Sequence, residues 1–261
     1  MIYRFFAAIL LLAVSFLAPA NAETDNMRWL VQAQADSAAR NLANDGVRFG
    51  YTVKFISHGT QVKSKTKDAN EFVLRFDPSM EKDQQWAILT PNSAENAKNY
   101  EAAQKKVTEL REQHSDGMAD QSLIFGKEVE DVENVTSKDS KLYFLRNEAD
   151  MAIYGSPILT MGNQTGTGQR MAKKILKVMA TEFSVNTSTN LIQFVRIYAK
   201  KGFKPLPIAK INKMNVLMEY APVWEGGPLV KVNMQQDIAG SALFQKFVQR
   251  SEEIYSDFER K

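Results

Sequence analysis

Hydrophobic and polar residues alternate with period two in several segments of the chain. Because successive side chains of a strand point to opposite faces of a sheet, this alternation gives each strand one apolar and one polar face. It therefore predicts half-buried antiparallel strands. The first of these segments are centred on Tyr51, Val53 and Phe55, on Phe72, Leu74 and Phe76, and on Trp86 and Ile88.

Six later segments are also predicted to be strands. They cover residues 142–145, 151–154, 175–185, 191–200, 211–220 and 229–235. The last two alternate most clearly, since Met214, Val216, Met218 and Tyr220 share one face, and Val230, Val232 and Met234 share another. If the sheet is curved, we expect the face of Met214–Tyr220 and that of Phe72–Phe76 to line the same interior.

Three segments have the helical period instead. Residues 26–45 are predicted to form a helix whose apolar stripe includes Leu30, Val31 and Leu42, and residues 93–113 a surface helix inserted between strands. The third predicted helix, 241–260, would lie against a sheet. The apolar stripe of the second helix is Tyr100, Ala103, Val107 and Leu110, and that of the third is Phe244, Phe247, Val248, Ser251, Tyr255 and Phe258.

This order of elements does not alternate single strands with single helices. It predicts an α+β fold in which a large curved antiparallel sheet, an incomplete barrel, is covered by the N-terminal, inserted and C-terminal helices. No linker rich in Pro, Gly or Ser divides the chain. We therefore expect one domain over residues 23–261.

The first 22 residues have the pattern of a secretory signal. Arg4 precedes an apolar run over residues 5–17, and Ala20-Asn21-Ala22 fits a cleavage site with small residues. This run of thirteen residues, whose one polar member is Ser15, is too short for a spanning helix, which needs about 20 residues. We therefore predict cleavage after Ala22 and a periplasmic protein, while an uncleaved N-terminal anchor is the alternative.

Composition excludes several classes of chemistry. The 261 residues include no Cys, which excludes disulfides, thiol nucleophiles and thiolate metal sites. His58 and His114 are the two histidines, and they lack acidic residues at ligand spacing. We therefore expect neither a metal nor a cofactor.

No motif favours catalysis. The glycine-rich segment 162–168 is followed by Gln169-Arg170, where a phosphate-binding loop requires Lys and then Ser or Thr. No Gly-x-Ser-x-Gly motif occurs. A hydrolase with two carboxylates stays open as an alternative because spacing in sequence does not determine spacing in the fold. The sequence favours a protein that is not an enzyme.

Charge is unevenly distributed along the chain. Residues 23–150 contain 17 Lys+Arg and 22 Asp+Glu, whereas residues 151–261 contain 15 and 8. A basic face is one interpretation, and it would contact an anionic membrane surface or an envelope polymer. The alternative is a solvated sheet face. Nucleic acid is not expected, since basic and aromatic residues are not interleaved. The candidate anion-binding residues are Arg170, Lys173, Lys174, Lys177, Arg196, Lys200, Lys201 and Lys204.

The apolar strand faces carry many large side chains, and the chain has 11 Met. They are interpreted either as a filled core or as the wall of a cavity for an acyl chain, to which Met adapts well. The candidate ligand-binding residues are Phe72, Leu74, Phe76, Met214, Val216, Met218, Tyr220, Val230, Val232 and Met234.

The chain has, in order, the signal, the leading helix 26–45, the strands within 51–89, the helix near 93–113 and the later strands. This order of elements resembles that of the LolA/LolB-type periplasmic lipoprotein carriers. The resemblance implies an apolar cavity and a lipid or acylated-protein ligand, without catalysis. The sequence thus predicts a carrier or sensor of a lipid, lipoprotein or other amphiphile. The alternative is a cell-envelope protein that binds a protein or an anionic polymer through its basic face.

Overall fold

The computed structural model describes residues 26–61, 66–113, 143–156, 177–206, 208–243 and 245–261. The predicted signal, the glycine-rich segment 162–168 and His114 lie outside the described residues, as does Phe244 of the predicted C-terminal stripe.

Two helices and eleven strands make up the described part of the chain. The helices are α1 (Arg28–Ala43) and α2 (Ala97–Gln113). The strands are β1 (Phe49–Gln61), β2 (Thr66–Phe76), β3 (Trp86–Thr90), β4 (Tyr143–Glu148), β5 (Met151–Ser156), β6 (Met179–Asn186), β7 (Ile192–Ala199), β8 (Phe203–Leu206), β9 (Ala209–Pro222), β10 (Leu229–Ala242) and β11 (Gln245–Arg260). Neither described helix has the length and apolar character that a membrane crossing requires.

All eleven strands belong to one antiparallel sheet. Its order is β3-β2-β1-β11-β10-β9-β7-β6-β5-β4, and β8 pairs with β9 outside this path. The two ends of the path, β3 and β4, do not pair with each other, so the sheet is an incomplete barrel. This arrangement confirms the predicted α+β fold with a large antiparallel sheet.

The predicted C-terminal helix over 241–260 is wrong. This segment ends β10 and forms β11, which pairs with β1 on one side and β10 on the other. Its large residues are three or four positions apart, as in a helix, because the alternate positions between Phe247 and Tyr255 are the polar Gln249, Ser251 and Glu253. Backbone pairing on both sides stabilises the strand, and no pattern of side chains within the segment reveals it.

The other predicted elements have smaller differences. Strand β8 was not predicted, and β9 and β10 are longer than the alternation indicated. Helix α1 buries Leu30 and Ala33, whereas Val31 and Leu42 of its predicted stripe are 56% and 73% exposed. The stripe of α2 is largely confirmed, because Ala103, Val107 and Leu110 are all buried and Tyr100 is half-buried.

The two helices cover the same face of the sheet, which we call the inner face. Register places Leu74 opposite Val53 and Val53 opposite Tyr255. Farther along the same face, Met234 lies opposite Met218. Cross-strand partners point to the same face of a sheet. The same face continues through Val195, Phe183 and Tyr154.

Two buried clusters lie on this face at opposite ends of the strand order. The first core, under α2, contains aromatic and aliphatic residues of β1, β2, β3 and β11. The second core, under α1, contains residues of β5, β6 and β7. Members of the first core include Tyr51, Val53, Leu74, Phe76 and Trp86, and members of the second include Leu30, Ala152, Tyr154, Phe183 and Val185.

Hydrogen bonds hold α1 over the second core at both of its ends. The Tyr154 hydroxyl donates to the carbonyl oxygen of Asn26 over 2.7 Å. At the other end, Arg40 donates to the carbonyl of Gly227 and Asn44 to that of Gly226, in the hairpin between β9 and β10. Gly226 has a φ of 71°, which a residue without Cβ adopts readily.

Candidate functional site

A strip of aliphatic and methionine side chains lies on the inner face between the two cores. We call it the methionine strip. It consists of Ile197 of β7, Met214, Val216 and Met218 of β9, and Met234 and Ile238 of β10. Each of these residues is half-buried, and none belongs to either core.

Register brings the members of the strip together across three strands. Met218 pairs with Met234, Met214 with Ile238, and Val216 with Ile197. From Met234 to Ile238 the strip spans about 14 Å at about 3.4 Å per strand residue. Its side chains therefore share one largely apolar surface, which is interrupted on β10 by the polar Gln236 opposite Val216.

The predicted ligand-binding residues of β2 and β9 share the inner face, as we expected, but packing divides them. Phe72, Leu74 and Phe76 are buried in the first core under α2, with Leu74 fully excluded from solvent. These three side chains fill space that a ligand would need. Met214, Val216 and Met218 belong to the methionine strip, whereas Tyr220 packs against the second core.

A bulge in β10 divides the remaining predicted residues. The register between β9 and β10 shifts between Lys231 and Asn233, so the regular alternation is interrupted at Val232. Val230 is buried in the first core and Val232 packs against it. Met234 follows the bulge and lies in the strip, opposite Met218. These three residues are thus divided between the first core and the strip.

A charged pair lies at the end of the strip next to the first core. Lys231 Nζ is 3.6 Å from Glu253 Oε2, and the side chains of both residues are mostly buried. The Tyr255 hydroxyl donates to the same carboxylate oxygen over 2.6 Å. Lys231 Nζ also lies 3.9 Å from the sulfur of Met234. The apolar strip therefore adjoins a polar group that is held in place by hydrogen bonds.

Burial changes the pKa values of this polar group. Desolvation lowers the pKa of Lys231, the charge of Lys106 lowers it further, and Glu253 opposes both effects. Desolvation also raises the pKa of Tyr255 well above its usual value, and the neighbouring Glu253 adds to that rise. Lys231 and Glu253 are thus paired beside the strip, and the charge of Lys106 on α2 acts on Lys231.

The predicted anion-binding residues do not gather at the strip. Arg170, Lys173 and Lys174 lie outside the described residues. Arg196 lies on the outer face, where its guanidinium donates to Asn215 over 2.6 Å and is 3.9 Å from Glu182. Arg196 therefore already has an acidic partner. The other four predicted residues are exposed and lie in turns or at the short β8: Lys177, Lys200, Lys201 and Lys204.

The described residues include no group of three or more His, Asp or Glu side chains that would hold a metal ion. His58 is exposed on β1, with Ala69 and Arg250 as its cross-strand neighbours. Its neighbours in the register are therefore not acidic.

Sequence reasoning missed four residues of this region. Ile197 lies within the predicted strand 191–200, but its face was not assigned, and Ile238 lies beyond the predicted strand 229–235. Lys231 and Glu253 are brought together by the pairing of β10 with β11, and no local signal predicts that pairing.

Comparison of the chain with protein-family models, with curated proteins and with solved structures finds no match in any of the three. The resemblance to the LolA/LolB-type carriers stays a prediction that rests on the order of elements.

Proposed function

We propose that this protein is a non-enzymatic carrier or sensor of a lipid, lipoprotein or other amphiphile, and that it acts in the periplasm after cleavage behind Ala22. The observation that carries the proposal is the half-buried methionine strip between two filled cores. The order of elements, which resembles that of the LolA/LolB-type carriers, supports the same class of ligand. For localisation, we expect the intact mass of the exported protein to show that residues 1–22 have been removed.

The strip has the properties of a surface for an acyl chain. Its side chains are apolar and three of the six are Met, which adapts to irregular ligand shapes. Burying about 12 methylenes at about 0.8 kcal/mol each contributes roughly 10 kcal/mol before the costs of ordering the ligand are subtracted. A strip that covers one side of the chain supplies a part of this value.

The charged pair gives the ligand a direction. With its chain on the strip, an amphiphile would place its polar head beside Lys231 and Glu253, which adjoin Met234. Lys106 lies close enough to Lys231 to affect the pKa of its ammonium group. The excess of one positive charge in this group favours an anionic head such as a carboxylate or phosphate.

The basic-face alternative has weaker support. Arg196 is the predicted basic residue in the middle of the sheet, and it pairs with Glu182 and Asn215 on the outer face. A polyanion would have to compete with those contacts. We therefore assign the ligand to the inner face.

Paired substitutions in β9 test the proposal. Val216 and Leu217 are neighbours, both half-buried, but Val216 belongs to the strip and Leu217 pairs with Arg196 on the outer face. We expect Val216→Asn to weaken binding of a fluorescent fatty acid about tenfold or more, since a polar group then meets the chain. Leu217→Asn is the matched control and should change the affinity less than about twofold.

Solvent extraction of protein purified without detergent gives an independent readout. We expect mass spectrometry of the extract to detect a bound amphiphile. An empty protein that also fails to bind the fluorescent fatty acid would refute the proposal, and so would equal losses of affinity in the two variants.

A further inference from the structure

Two hairpins meet at one end of the sheet and expose apolar side chains there. Ile208 lies between β8 and β9, and Leu243 between β10 and β11. These side chains are 55% and 64% exposed. The backbone N–H of Leu243 donates to the carbonyl of Ile208 over 2.9 Å, so the two hairpins are fixed side by side. We call this region the hairpin tip and include Lys204, Lys210 and Lys246 in it.

Leu243 has an unfavourable backbone conformation for a leucine. Its φ is 49°, in the left-handed region, and Ala242 pairs with Gln245 around it. Tight hairpins of this kind prefer Asn or Gly at such positions. An exposed leucine at this position favours neither the turn nor solubility. Departures from local preference of this kind concentrate at functional sites.

The surroundings of the two apolar residues are basic. Lys204, Lys210 and Lys246 are exposed. Lys210 and Lys246 both lie opposite Ser241, one on each side of β10. The two segments that form the hairpins, 199–213 and 238–250, contain no Asp or Glu. Asp237, directly before the second segment, pairs with Lys213 and Arg250. The tip therefore combines protruding apolar side chains with three exposed lysines, Lys204, Lys210 and Lys246, whose own segments contain no acidic residue.

We propose that the hairpin tip docks on the surface of an anionic lipid bilayer. Ile208 and Leu243 would enter the interfacial region, and the lysines would contact anionic headgroups, which together give a reversible attachment. Charge complementarity selects this partner, because a neutral surface would gain nothing from the lysines. The inference concerns the end of the sheet and does not depend on the methionine strip.

Binding to vesicles measures this attachment. We expect the protein to sediment with vesicles that mix phosphatidylcholine and phosphatidylglycerol, to bind vesicles of phosphatidylcholine alone much more weakly, and to lose affinity as salt is raised. The double variant Ile208→Ser with Leu243→Asn should lower the partition coefficient about tenfold or more. Asn accepts a positive φ, so the hairpin should keep its fold.

Two further variants separate the contributions. Lys210→Gln should lower the affinity for anionic vesicles roughly fivefold, the usual effect of one basic residue near such a surface. Leu42→Asn is the matched control, because Leu42 is 73% exposed but lies on α1. It should change vesicle binding less than about twofold. All variants are expressed and purified in the same way, so any contribution of residues 1–22 to vesicle binding is the same in each of them.

The results also distinguish this proposal from the amphiphile site. The Ile208→Ser, Leu243→Asn variant should bind the fluorescent fatty acid as the unchanged chain does. A protein that does not sediment with anionic vesicles would overturn membrane docking. So would a double variant that keeps its vesicle affinity, or one that loses no more than Leu42→Asn. Binding to soluble dextran sulfate that matches the vesicle affinity and is unaffected by the double variant would overturn it in favour of an anionic polymer.

Discussion

The first core and the methionine strip occupy the same face of one sheet, and they differ in what packs on them. Leu74 is fully buried beneath α2 and surrounded by aromatic rings, whereas Met218 is half-buried and belongs to neither core. Both residues lie in strands with the same alternation of apolar and polar positions. The comparison shows that alternation assigns a side chain to a face, while the position of the helices decides whether that part of the face is a filled core or stays half-buried.

The largest expected effect is in the first core. Leu74→Ala should lower the free energy of unfolding by about 2–5 kcal/mol, because the substitution removes buried methyl groups and leaves a cavity under α2. Urea denaturation measures this loss. Leu89→Ala on β3 is the matched control, since Leu89 is 52% exposed, and should cost less than about 0.5 kcal/mol. Equal losses for the two leucines would contradict the first core as described.

Alkaline titration tests the burial of one tyrosine in each core. Burial raises the pKa of Tyr51 in the first core, and it raises the pKa of Tyr154 in the second core to about 12. In the unfolded chain both hydroxyls ionise near pH 10.0. Their contribution to stability is therefore complete below pH 10 and is lost as the pH rises from 10 towards the folded pKa.

Substitution of either tyrosine should reduce this pH dependence. We expect Tyr51→Phe to make the fall in the free energy of unfolding between pH 10 and 12 less steep by about 1.4 kcal/mol per pH unit. Tyr154→Phe should change the pH dependence of the free energy of unfolding in the same direction. Denaturant titrations at a series of alkaline pH values measure the slope. An unchanged slope in both variants would show that these hydroxyls are accessible to solvent in the folded protein.

The smallest effect on stability is expected in the strip. Met218→Ala should cost about 1 kcal/mol or less in the ligand-free protein, because a half-buried side chain loses fewer contacts than a core residue. Its affinity for the fluorescent fatty acid should fall. Thermal or denaturant unfolding and ligand titration of the same preparation give both values. A loss above about 3 kcal/mol with unaltered binding would show that the strip is a packed core.

The sequence predicted much of the sheet for a clear physical reason. Over residues 72–76 of β2 and 214–220 of β9 every alternate position on the inner face is apolar, so the sequence around Leu74 and Met218 indicates both the strand and its inner side. In β11 the inner positions between Phe247 and Tyr255 are polar, so the alternation disappears and a helix was predicted. Backbone pairing with β1 and β10 stabilises that strand, and such pairing is not local in sequence.

The division of the inner face into cores and strip could not be read from the sequence. It depends on where α1 and α2 pack, and their apolar stripes do not say which strands they cover. The bulge beside Val232 and the pair formed by Lys231 and Glu253 are also products of pairing between distant strands. The alternation thus indicated which residues share the face, but not which of them are free to contact a ligand.

The position of β11 in the strand order has a consequence for how the chain folds. It is the last described strand in the sequence, yet it alone joins β1 to β10, and Phe49 pairs with Arg260. The sheet therefore stays in two separate parts until β11 pairs with both of them. Until then, one edge of β1 and one of β10 lack a hydrogen-bonding partner, which exposes the folding chain to aggregation. A premature stop before β11 removes one strand of eleven but separates the whole molecule into two incomplete sheets.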